Sequence, residues 1–129
     1  MEEVLIRLDK TQWEKMKRGF KTMVIRESVP TEIIIPFRAI VYVDGIGVVG
    51  KFDCDEWRIT TLPESLAKGS CFTQSQLIMH AAEKPLCGWH VKPESVYQYS
   101  TPLNLEYATG FSEPPESWQY LHRETRDAK

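Results

Sequence analysis

The run Arg38-Ala39-Ile40-Val41-Tyr42-Val43 and the run Val48-Val49-Gly50-Lys51-Phe52-Asp53-Cys54 stand on either side of Asp44-Gly45-Ile46-Gly47. Apolar, β-branched runs around an Asp-Gly turn read as a hairpin, and the near-continuous apolar first arm marks a buried central strand. A long hairpin in the middle of a short chain obliges the remaining elements to pack around one sheet. Gly45, Gly47 and Gly50 also spell G-x-G-x-x-G, but they lead into a strand. A dinucleotide site needs a helix N-terminus there to hold the pyrophosphate, so the glycines are read as a turn.

The flanking segments supply a few more strands and two capped helices. Val4-Leu5-Ile6-Arg7-Leu8 is a mostly apolar first strand. Asp9 with Gln12 has capping-box spacing and opens a helix near residues 10–18, with Gly19 as the left-handed residue that ends it. Trp13, Met16 and Phe20 form the line expected to seat this helix. Met23 and Ile25 face one side of the next strand, and Thr22, Val24 and Arg26 the other. Ile33-Ile34-Ile35, stopped by Pro36, is at most an edge piece. Pro63 to Gly69 is a short helical turn, and Thr73 with Gln76 opens a second helix near 73–82. Gly88 to Val91, Val96 to Tyr99 and Ser117 to Leu121 read as strands, with Pro102 to Leu105 as a bend. This order predicts an α+β chain, a small mixed β-barrel with two to three short helices, not an alternating βαβ sheet.

At 129 residues, 42% hydrophobic and 26% charged, the chain makes one domain with an adequate core. We expect it to span 1–122, with 123–129 as a frayed tail. The acidic start Met1-Glu2-Glu3 and the shortness of every apolar run predict a cytoplasmic protein without membrane contact. Cys54, Cys71 and Cys87 are widely spaced and odd in number, so reduced, mostly buried thiols are expected. His80, His90 and His122 have no metal-ligand spacing. No metal and no cofactor is expected.

A formal net charge of −2 excludes binding nucleic acid through the global field, since non-specific affinity rests on a basic excess. A local patch is left: Lys10, Lys15, Lys17, Arg18, Lys21 and Arg26 lie in one stretch. Lys21 and Arg26, just after the first helix, are the leading candidates to meet an anionic ligand, Lys as a point charge and Arg as a planar fork. Lys17 or Arg18 is expected to flank them at an exposed groove mouth. Trp89, Tyr97, Trp118 and Tyr120 are rings on which bases could stack, although aromatics in a small barrel also serve as core.

Gly19-Phe20-Lys21-Thr22-Met23-Val24-Ile25-Arg26 resembles the G-x-K-x-x-E-x-R signature of the ASCH family. Cys87-Gly88-Trp89-His90-Val91 and Glu113-Pro114-Pro115-Glu116-Ser117-Trp118-Gln119-Tyr120-Leu121 resemble later segments of small bacterial ASCH proteins. The resemblance implies a PUA-like pseudobarrel with a groove beside the first helix and the motif strand, serving RNA, a nucleotide or a nucleoside as partner, with a regulatory role. The family's amidohydrolases, which act on acetylated cytidine nucleosides, use the motif Lys, a Thr and a Glu. Here Lys21 would be the catalytic residue if the chain is an enzyme, but Val24 replaces the Thr and Ser70-Cys71 stand where the Glu is expected. Binding is therefore the leading expectation, with amidohydrolase and protein–protein adaptor as alternatives.

Overall fold

Val4, Leu5 and Ile6 are wholly buried, because the first strand, β1 (Glu3–Leu8), has neighbours on both sides. It runs parallel to β3 (Phe37–Val43) and antiparallel to β7 (Trp118–Leu121). The parallel pairing requires a crossover, and the chain makes it through α1 (Lys10–Lys17) and β2 (Met23–Arg26). The structure, a computed structural model, describes residues 1–121; the expected domain limit at 122 and the tail after it lie outside the described residues.

The hairpin forms as expected: β3 pairs with the long strand β4 (Gly47–Thr60), which continues to pair with β5 (Leu86–Val91) and β6 (Tyr97–Leu103). Gly45 and Gly47 have φ of +78° and +122°, the turn conformations that favour glycine. Gly50 has a different task. A Cβ there would lie 2.1 Å from the Tyr97 carbonyl oxygen and 2.8 Å from the Trp13 ring, so its missing side chain lets α1 settle onto β4.

Among the described residues the sheet has seven strands in the order β2-β5-β4-β3-β1-β7, with β6 on β4. Adding α1, α2 (Gln74–Ala81) and α3 (Leu105–Thr109) gives an α+β fold. The sheet curls like a barrel without closing: β2 and β7 remain as edges. Side chains stitch that seam. Trp118 Nε1 donates to Ser28 Oγ at 2.9 Å, the Glu32 amide donates to the Tyr120 hydroxyl at 3.1 Å, and Arg26 Nη2 donates to the Arg7 carbonyl at 2.5 Å. Inside, Trp89 meets Phe37 and Trp118 edge-on, with centroids 5.4 and 5.6 Å apart. Cys54 and Cys87 are buried as free thiols, and burial pushes the Cys54 thiol up to about 12. No helix among the described residues is long and apolar enough to cross a membrane.

Three local expectations need correction. Ile33-Ile34-Ile35 forms no strand, and Ile34 is exposed. Pro102 and Leu103 continue β6, and Asn104 caps α3 by accepting the Tyr107 amide, so the segment read as a bend opens a helix. Phe20 does not seat α1: it is 67% exposed while Trp13 and Met16 are buried. The reason is the helix end. Gly19 turns left-handed, and the amides of Gly19 and Phe20 fold back onto the carbonyls of Met16 and Lys15, which takes Phe20 off the helical repeat.

Trp13→Ala should therefore lower stability by about 3–5 kcal/mol, whereas Phe20→Ala should change it by less than about 0.5 kcal/mol. Urea denaturation of the two variants checks both, and comparable losses would contradict this packing.

Candidate functional site

The seam opens at one end into a cleft of about 640 Å³, within the size range of small-ligand sites. Its walls come from β1 and the start of α1 (Arg7, Leu8, Asp9, Gln12), from β2 (Ile25, Arg26), and from the loop and helix after β4 (Phe72, Gln76, Leu77, His80). Lys21 forms part of its floor.

Two backbone bonds place these groups. The amides of Thr22 and Met23 both donate to the Gly69 carbonyl, at 2.8 and 3.0 Å, lashing the loop before α2 to the entry of β2. Gly69 is left-handed and leaves no room for a Cβ, which would lie 2.3 Å from Thr22 Oγ1. The loop then lies directly over Lys21. Lys21 Nζ donates to the Ser70 carbonyl at 2.6 Å and sits 4.9 Å from the Phe72 ring centroid. Lys21 is 2% exposed, so the expectation of an exposed cation at the groove mouth is corrected. Burial is the main force that brings its ammonium down to about 8; the nearby Cys71 opposes this and the charge of Arg26 adds to it.

Arg26 makes no ion pair with Glu27, Asp53 or Asp55. Nη1 donates to the Ile25 carbonyl at 2.7 Å and Nη2 to the Arg7 carbonyl. Its fork is thus occupied by backbone, and burial lowers its pKa to about 10. Arg26 Nε and Gln12 Oε1 are buried and have no hydrogen-bond partner in the protein among the described residues. Both belong to cleft-lining residues. A buried polar atom left unsatisfied costs about 1–3 kcal/mol, and the Gln12 amide can present either its oxygen or its nitrogen by rotating.

Charge in the cleft is balanced. Arg7, Lys21 and Arg26 face Asp9, Glu27 and Glu116. Arg7 is held by Asp44, with both Nε and Nη2 donating to Asp44 Oδ2. The site therefore offers donors and acceptors together, and is not a simple anion trap.

The other expected site residues lie elsewhere. Lys17 is paired with Glu14 at 3.0 Å and donates to Gln98; Arg18 is exposed, and neither lines the cleft. Trp89 is wholly buried and donates to the Ser28 carbonyl. Trp118 and Tyr120 hold the seam, and Tyr97 stands on β6 beside Tyr99 and Lys51. None of these four rings lines the cleft; Phe72 does. The β alternation explains part of this, since residues that fill the barrel interior turn away from the cleft. Val24 shares that fate and is wholly buried among the core side chains. Ser70 lends its carbonyl, while its hydroxyl donates to Ala67 and accepts the Phe72 amide. Arg7, Asp9, Gln12, Phe72 and His80 were missed as site residues, although the Asp9–Gln12 capping signal did mark the helix end that walls the cleft. His90, which has no metal-ligand spacing with the other histidines, contacts Asp55 at 2.6 Å.

The burial of Lys21 has a pH signature. Between about 8 and 10.5 the unfolded chain keeps a proton that the folded protein has lost, so folding gains stability as pH rises through that window. This contribution is complete above 10.5 and disappears as pH falls through 8. The stability of the wild type relative to Lys21→Met should thus rise between pH 8 and 10.5 in chemical denaturation, and a difference that stays flat would contradict the burial.

No protein-family model matches the sequence, and no curated protein matches it. Among solved structures, ASCH from Zymomonas mobilis superposes with a TM-score of 0.77 at 16% identity, covering 98% of this chain and 92% of that one. Two mutant forms of the same protein give 0.78 and 0.76. A Pseudomonas putida protein matches over 98% of this chain with a TM-score of 0.55 and 10% identity. The likeness extends over nearly the whole of the chain and agrees with the resemblance of its motifs: this chain has the fold of an ASCH domain.

Proposed function

We propose that the chain is an RNA- or nucleotide-binding module of the cytoplasm, whose cleft takes the nucleoside part of its ligand. One observation carries the reading. The buried Lys21 ammonium has donors beyond the one given to Ser70, and it shares the cleft with Arg26 Nε and Gln12 Oε1, which lack protein partners. A nucleobase edge offers carbonyl and ring-nitrogen acceptors beside amine donors, which is the complement of that set. The balanced charge favours such a neutral edge over a phosphate as the group that enters deepest.

The amidohydrolase reading is supported by the same lysine, because a pKa of about 8 leaves a useful fraction of neutral amine near pH 7 to 8. Amide hydrolysis also needs an acid and an oxyanion donor. Val24 faces the core and the Ser70 hydroxyl is engaged, so the positions matched to the motif's Thr and Glu supply neither; the carboxylates that line the cleft are Asp9, Glu27 and Glu116. The adaptor reading draws support from Leu62, Ile78 and Met79, exposed side chains that line a second groove beside α2. Binding of a nucleoside in the first cleft accounts for its polar groups, which the adaptor reading leaves unexplained.

Calorimetric titration with ribonucleosides and short RNAs at low ionic strength tests the proposal. Lys21→Met and Gln12→Ala should each weaken binding about tenfold or more, the usual scale for a buried hydrogen bond involving a charged or orphaned partner. Affinity should also fall as pH rises through about 8, because the ammonium then gives up its proton. Absence of binding to any nucleoside or RNA would overturn the reading in favour of the adaptor.

A further inference from the structure

β4 outlasts its neighbour on one side. β3 accompanies it from Gly47 to Cys54, and β5 accompanies it from Cys54 to Thr60. Cys54 pairs with Phe37 on β3 and with Val91 on β5, so the two strands lie on opposite edges of β4. A bulge between Cys54 and Glu56 marks the place where β3 stops. Beyond it, the β3 edge of β4 has no strand among the described residues. The chain that leads into β3 turns elsewhere: Ile34 is exposed, and the Glu32 amide is drawn to the Tyr120 hydroxyl on β7.

Alternation decides which backbone groups face the open edge. The Val91 amide donates to the Thr22 carbonyl at the entry of β2, so Gly88 and His90 turn the other way, toward β4. Their partners there are Arg58 and Glu56, which leaves the amides and carbonyls of Trp57 and Ile59 on the open edge. No hydrogen bond among the described residues engages them.

A row of unpaired backbone groups invites another strand, and charged side chains commonly guard it. Here the guards are opposite in sign. Trp57 packs against the core, so Glu56 and Arg58 project from the outer face on either side of it. Both are exposed and neither makes an ion pair among the described residues, whereas Asp55 is engaged by His90.

We propose that this edge pairs with the same edge of a second copy, antiparallel about a two-fold axis at Trp57, so that the two sheets join. Backbone groups that face the edge must meet others that face it, which places the axis on a residue and not between two. With the axis at Trp57, Glu56 of each copy stands opposite Arg58 of the other, in the sites where side chains approach most closely. With the axis at Arg58, two guanidinium groups would face each other. With the axis at Ile59, Trp57 would be paired with Thr61, beyond the end of β4. Residues 55–59, between the end of β3 and the last residue of β4, are centred on Trp57. None of residues 55–60 lines the cleft, so the proposal is independent of the nucleoside reading.

Sedimentation equilibrium of the full chain over a wide concentration range tests the pairing. The wild type should show a monomer–dimer equilibrium, and the Trp57 and Ile59 amides should exchange with deuterium more slowly as dimer accumulates. Arg58→Glu and Glu56→Arg each set two like-charge pairs across the axis and should weaken the dimer about tenfold or more. The double variant Glu56→Arg with Arg58→Glu exchanges the charges and should restore dimerisation, which a general disturbance of the fold would not do. A chain that is monomeric at every concentration overturns the proposal; slow exchange of the two amides in that monomer would show the edge covered by the chain itself. A dimer that either single variant leaves intact, or that the double variant fails to restore, overturns the pairing at this edge.

Discussion

Arg26 reaches across the gap between two strands that never pair. One arm of its guanidinium holds the Ile25 carbonyl on β2 and the other the Arg7 carbonyl on β1. Buried carbonyls need donors, and here a side chain takes the place of a missing ladder bond. Lysine could not do this in the same way, because its ammonium lacks the planar fork that spans two acceptors. The seam is thereby closed at one point and left open beside it, and the opening is the cleft.

The same arrangement determines which cation has donors left for the cleft. With two arms engaged by backbone, Arg26 offers only Nε to the cleft. Lys21 is held differently. The Gly69 carbonyl draws the loop before α2 against β2, which covers the lysine with Ser70 and Phe72 and takes its ammonium out of water. Desolvation strengthens each hydrogen bond the ammonium makes to a ligand, at the cost of a lower pKa. The two basic residues of one short motif thus differ in role: Arg26 holds the sheet, and Lys21 presents a buried ammonium to the cleft.

Much of the fold could be read from the chain because its signals were local. The Asp44-Gly45 turn, the Thr73 capping box and the Gly19 helix end each act within a few residues and form as their spacing implies. Asp9 caps α1 through the Gln12 amide, but the Gln12 side chain does not return the bond. The site was legible only in part. Lys21 and Arg26 were identified by their place after the helix, but whether each is exposed depends on contacts with Ser70 and Arg7, which are distant in sequence. Phe20 matched the helical spacing of Trp13 and Met16, and a left-handed Gly19 overrode it. Trp89 and Trp118 looked equally suited to stacking on a base or filling a core. Their indole nitrogens, both donating to Ser28, decided for the core side of the seam.

The account stands on a buried ammonium that a ligand can reach. The most direct measurement is the titration of lysine side chains by NMR on protein labelled with ¹³C at Cε, free and saturated with the tightest-binding nucleoside. One resonance should titrate near pH 8, vanish in Lys21→Met, and move to higher pH when the nucleoside supplies an acceptor. If every lysine titrates at about 10.4, the ordinary value, or if the Lys21 resonance ignores the nucleoside, then the cleft at the seam is not the binding site.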